Sequence, residues 1–174
     1  MAQKKAGFVI FKVLSVDSSN IFSQILFIGL FVGVFVVLLG GILFSLSRLG
    51  GWSKWAKIYG HENVEAVVKL TWANGYMKFP AKYGNTLTLG VNEDGLILAT
   101  IAWFKPFHKT LVLPWDDIHI KWTRIFFSEV VEVTLQRVPG VSIKLYPREL
   151  KRLGEILQKK SPGLFEKFAS LFFK

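Results

Sequence analysis

Ile25-Leu-Phe-Ile-Gly-Leu-Phe-Val-Gly-Val-Phe-Val-Val-Leu-Leu-Gly-Gly-Ile-Leu-Phe44 is the stretch on which the fold turns: twenty residues drawn only from Ile, Leu, Phe, Val and Gly. No charged residue lies between Asp17 and Arg48. At ~1.5 Å rise per residue these positions make a rod of roughly 30 Å, the thickness of a bilayer's hydrocarbon core. Sixteen of them are strongly apolar. On an insertion scale they favour lipid by roughly 5 to 10 kcal/mol before the glycine costs. The run reads as a retained anchor from Ile25 to Phe44. A cleaved signal peptide would have a core about half as long and a small-x-small exit, whereas here the exit is Phe44-Ser-Leu-Ser-Arg48.

Working outward, residues 1–20 form a basic, apolar lead-in and 21–48 the transmembrane helix. On that helix Gly29, Gly33 and Gly40 share a face, and Gly29-x-x-x-Gly33 has the spacing of a close helix–helix seam. Residues 49–61 make a short helix with Trp52, Trp55, Ala56 and Tyr59 on one side, read as an aromatic collar for the head-group layer or as a face packed on the domain.

From Val64 the period changes to two. Val64, Ala66, Val68, Leu70 and Trp72 alternate with Glu65, Val67, Lys69 and Thr71, and Asn74-Gly75 is a hairpin-turn signal. Further runs follow: Leu87/Leu89/Val91, Leu96 to Trp103, Leu111 to Leu113, Ile118/Ile120/Trp122, Val131/Val133/Leu135 and Val141/Ile143/Leu145. Asn92 to Gly95 and Pro139-Gly140 supply turns. Pro147 opens a helix faced by Leu150, Leu153 and Leu157, stopped by Ser161-Pro-Gly163. Residues 62–161 are thus expected to form a small antiparallel barrel or sandwich capped by a C-terminal helix, the layout of pleckstrin-homology-like domains. The fold class is α+β. Residues 162–174 are a basic amphipathic tail, with Phe165, Phe168 and Phe172 set to dip into a bilayer surface and Lys167 and Lys174 to meet phosphates; folding back on the barrel is the competing reading.

Formal charge is +10. Lys4, Lys5 and Lys12 against Asp17 supply +2 of it, leaving +8 on the remainder, which suits anionic lipid head groups, an acidic partner or nucleic acid. Basic residues are scattered along the strands and no RNA-recognition motif is present, so nucleic acid is disfavoured. The absence of cysteine excludes disulfides and zinc–thiolate sites. His61-Glu62 lacks the second histidine of a zincin helix. His108 with Asp116, near Asp117 and His119, is the one cluster resembling acid–base equipment, and its blander reading is a loop pinned by hydrogen bonds. No catalytic residue, metal or cofactor is assigned. The loop carrying Lys105, His108 and Lys109, together with Trp115, is the candidate partner contact.

Two stretches, Leu49-Gly-Gly-Trp52-Ser-Lys-Trp-Ala56-Lys-Ile-Tyr59 and Gly95-Leu96-x-Leu98 through Phe107-His108-Lys-Thr-Leu111-Val-Leu113-Pro114-Trp115-Asp-Asp-Ile118, resemble a group of small, uncharacterised bacterial membrane-tethered proteins. The chain departs from that pattern at Trp55 and at Lys109-Thr110. The resemblance implies a bacterial membrane-linked β domain and no assigned activity. The expectation is a non-enzymatic, single-pass protein of the bacterial inner membrane, with its domain on the cytoplasmic side, binding lipid or protein. A homodimer is compatible with that role; the alternatives are an accessory subunit of a larger membrane complex, assembled through the Gly29/Gly33/Gly40 face and the aromatic collar, and an enzyme using His108 and Asp116.

Overall fold

The computed structural model describes residues 18–78, 81–125 and 127–173. Residues 1–17 of the lead-in and Lys174 of the tail lie outside them. The chain divides into two compact units, residues 1–42 and 43–174.

Within the first unit, residues 18–42 belong to helix α1 (Ser18–Gly50). Its large side chains are open on every side, with Phe22, Phe27 and Val37 each more than 70% exposed. A water-soluble helix would bury one such face. The helix is long and apolar enough to cross a membrane.

The second unit opens with the last turns of α1, where Leu43, Ser47 and Gly50 are buried. Helix α2 (Trp52–Tyr59) follows after a break at Gly51, whose φ of +93° lies in the left-handed region. A side chain at Gly51 would also meet Val141 Cγ1 at 2.8 Å, so glycine is required twice over. Eight strands follow: β1 (Gly60–His61), β2 (Val68–Tyr76), β3 (Lys82–Val91), β4 (Gly95–Thr100), β5 (Thr110–Pro114), β6 (Ile118–Ile125), β7 (Ser128–Leu135) and β8 (Ser142–Leu145). Helices α3 (Pro147–Lys160) and α4 (Pro162–Phe172) complete it. The sheet is open and antiparallel in the order β1-β5-β4-β3-β2-β8-β7-β6, leaving β1 and β6 at its edges. Leu87, Leu89, Leu98, Leu113, Val133 and Leu145 point to one core with Leu150, Leu153 and Leu157 of α3.

Three sequence expectations are corrected. Asn74-Gly75 is not a turn. Strand β2 runs through it, and the chain reverses at Met77–Ala81, where the Met77 amide donates to the Ala81 carbonyl at 3.0 Å. Asn74 is there for its side chain, which donates to Glu149 Oε1 at 3.2 Å and accepts from the Asn85 amide at 2.9 Å. Gly75 is there for space, since a Cβ would lie 2.7 Å from Leu87 Cδ1. Trp72, assigned by alternation to the core face, is 63% exposed. Register shifts between Leu70 and Ala73 mark a bulge, and Trp72 takes φ +62° within it, which turns the indole outward.

The third correction concerns the helices flanking the sheet. For Trp52 and Trp55, whose sequence leaves open both a head-group collar and a face packed on the domain, both side chains are fully buried in the domain core. Phe168 and Phe172 of the tail are also fully buried, stacked at 4.7 Å, and Phe168 lies against the α3 surface at Gly154. Phe165 is half-buried against the core, and only Lys167 of the described tail residues assigned to lipid is exposed. In both helices the apolar face found protein, because that face completes a core that a sheet of this size leaves open on one side.

Candidate functional site

Side chains on the core face of β2 to β5 are spoken for, so the opposite face of those strands decides what the sheet offers. There the pleat presents Lys69 and Thr71 from β2, Thr88 and Gly90 from β3, and Ile97 and Ala99 from β4. These residues line a groove of about 550 Å³, within the range of ligand sites. Trp72 and Trp103 stand along its rim, 63% and 76% exposed. Lys69 and Lys105 also line it; no acidic side chain does, and neither lysine is ion-paired among the described residues. Thr100, also in the lining, is 97% buried and its hydroxyl has no hydrogen-bond partner among the described residues. A buried hydroxyl without a partner carries a desolvation cost of about 1 to 3 kcal/mol.

Strand β4 ends at Thr100, short of the expected Trp103, and the chain enters a short 3-10 turn at Ala102–Phe104. That turn sends Phe104 toward the core and Trp103 to solvent. His108 closes the loop and is 1% exposed. Its Nδ1 lies 3.2 Å from the Phe104 carbonyl, which can only accept, so Nδ1 carries the proton. The Tyr83 hydroxyl therefore donates to Nε2, at 2.9 Å. Trp52, Tyr83 and Phe104 pack their rings around the imidazole at 5.2 to 5.6 Å. Burial in this aromatic box lowers the His108 pKa below 6.5, against a smaller opposing effect of the Phe104 carbonyl, and burial also raises that of Tyr83. The Trp52 indole donates to the Lys109 carbonyl at 2.9 Å, and the Ser47 hydroxyl to the Phe107 carbonyl at 2.7 Å. His108 is thus built into the loop as a pin.

Of the other candidate contact residues, Trp115 is 5% exposed and spends its indole N–H on the Glu93 carbonyl at 3.1 Å. Lys109 is exposed and paired with Glu62 at 3.3 Å, and Lys105 is exposed. The structure therefore divides that set, with the two lysines at the surface and His108 and Trp115 inside.

The remaining acid–base candidates are not assembled. Asp116 is exposed, and both ring nitrogens of His108 are engaged elsewhere. Asp117 is buried, accepts from the Tyr59 hydroxyl, and holds the Arg137 amide at 3.3 Å and its guanidinium at 3.5 Å. Burial, with the hydrogen bond and charge of Asp117, pushes the Tyr59 pKa up to about 12. This arrangement ties α2 to the start of β6. Glu149 is likewise buried, held by Asn74, Arg148 and Arg152. Among the described residues, no three His, Asp or Glu side chains are grouped to hold a metal ion.

The groove residues Trp72, Trp103 and Thr100 were not singled out from the sequence. A tryptophan in an alternating strand reads as core, and only the bulge reverses that. Gly29 and Gly33 lie on α1 with nothing within 4 Å of where a Cβ would sit, and Gly40 lies on the same helix. Searches against protein families, curated proteins and solved structures found no match to the chain.

Proposed function

We propose that the chain is a single-pass membrane protein whose β domain, on a pleckstrin-homology-like plan, is a non-enzymatic module that binds a lipid or protein ligand beside the bilayer. One observation carries the tether: residues 25–42 of α1 form an unbroken apolar run that no protein among the described residues covers. Lipid would cover that surface at no hydrophobic cost, whereas water would not. The domain plan draws support from seven successive antiparallel strands in the order β5-β4-β3-β2-β8-β7-β6, with the Leu150/Leu153/Leu157 face of α3 on their core. A binding role is favoured over catalysis because His108, Asp117 and Glu149 are each committed to structural hydrogen bonds, while the groove with its exposed indoles is open. A bacterial inner membrane with the domain on the cytoplasmic side suits the excess of lysine and arginine.

The reading is tested in two steps. Alkaline carbonate washing of membranes containing the full chain should leave it in the pellet; release into the supernatant would overturn the tether. Purification in mild detergent should then yield a co-eluting lipid or protein that is depleted by the double variant Trp72→Ala/Trp103→Ala. Retention of that molecule at wild-type level would remove the groove from the proposal.

A further inference from the structure

The apolar run of α1 ends at Phe44, and Arg48 is the first charge after it. The two are stacked, with the Arg48 guanidinium 5.1 Å from the Phe44 ring centre. Phe44 also meets Phe107 edge to face at 6.1 Å, and Ser47 bonds the Phe107 carbonyl. The boundary between apolar and charged sequence is therefore in contact with the loop after β4. That loop is held by local hydrogen bonds: the amides of Phe104, Lys105, Phe107 and His108 all donate to carbonyls three residues back, and His108 pins it from inside. Its outer surface carries Trp103, Lys105 and Pro106, all exposed. No acidic residue occurs between Asp94 and Asp116, and Lys109 is already paired with Glu62, leaving the Lys105 charge to the outside.

The geometry points to residues 102–107 as a bilayer-contact foot: Trp103 seats in the head-group layer and Lys105 meets the phosphate of an anionic lipid. This inference rests on the tethered reading above and names the residues by which the domain touches the membrane. Indole rings, with an apolar body and a polar N–H, concentrate at that depth, and a lysine beside them favours anionic lipid. The foot replaces Trp52, Trp55, Phe168 and Phe172, all occupied in the core. Because Trp103 also stands on the groove rim, the groove would open beside the head groups.

The chain has no cysteine, so single reporters can be placed in the full-length protein. Ile28→Cys, Trp103→Cys and Glu93→Cys variants, each carrying an environment-sensitive dye, are reconstituted in vesicles and quenched with head-group and acyl-chain nitroxide lipids. Glu93 is exposed at the far end of β4, about 20 Å away along the strand. Expected are strong acyl-chain quenching at Ile28, several-fold stronger head-group quenching at Trp103 than at Glu93, and a fall at Trp103 when Lys105→Glu is added in phosphatidylglycerol vesicles but not in phosphatidylcholine. Quenching at Ile28 with Trp103 equal to Glu93 would overturn the foot and leave the tether standing. Absence of quenching at Ile28 would overturn the tether, and the foot with it. Insensitivity to Lys105→Glu would remove the lysine's role.

Discussion

Asn74 shows how one side chain can do the work of a local motif without forming it. It caps the Asn85 amide, where φ is +51°, and donates to the buried Glu149. Asn74→Ala should therefore lower stability by about 1 to 3 kcal/mol, measurable as a shift in the urea midpoint at constant slope. His108 gives the second residue-scale prediction. Its neighbours Trp52, Tyr83 and Phe104 carry no charge, and burial holds its pKa below 6.5. The unfolded chain then binds more protons than the folded one as the pH falls below 6.5, so stability declines from there down to the folded-state value. His108→Gln should flatten that decline; equal pH slopes for variant and parent would show that the loss arises elsewhere. Asn74-Gly75 and His108 were both visible in the sequence as special residues. The pinning role of His108 was also read there; what Asn74 does was not, because its partners lie 11 and 75 positions away.

Among the elements, the strands were legible because alternation is local. Leu87, Leu89 and Val91 face the core as their spacing requires. Trp72 was misread because a bulge answers to its neighbours rather than to its own sequence. The helices teach a different lesson. Periodicity says that a face of α2 or α4 is buried, and it says nothing of whether lipid or protein covers it. The structure covers both with protein. Phe168→Ala should consequently cost about 3 to 5 kcal/mol, as for a fully packed aromatic, whereas Lys167→Ala on the exposed side should change stability by less than about 0.5 kcal/mol. Calorimetry of the two variants in detergent distinguishes them; a silent Phe168→Ala would mean that the tail is not docked. The candidate groove was the least legible part of the fold, since it is made from whatever the core-facing residues leave on the reverse of the sheet.

For the molecule as a whole, the boundary between units falls inside a helix. Composition placed it near Arg48, where charge returns. Packing places it at Leu43, because Leu43 and Ser47 are buried and the Ser47 hydroxyl holds the 102–109 loop. A chain starting at Leu43 should be more stable than one starting at Trp52 by about 2 to 4 kcal/mol, from one buried leucine and one hydrogen bond. Equal denaturation midpoints would assign those turns to the anchor alone.

Strand β6 is the longer of the sheet's two free borders, with Trp122 half-covered and its backbone groups open on one side. For molecules confined to the plane of a bilayer, collisions are frequent and sideways, the circumstance in which such a border invites runaway strand addition. Lys121 projects from it, and Arg124 does so paired with Glu129 at 3.3 Å, so two copies approaching border to border would bring lysine against lysine. On the proposed tethered reading, the basic surface invoked for acidic lipid would then also keep a crowded population from zipping together.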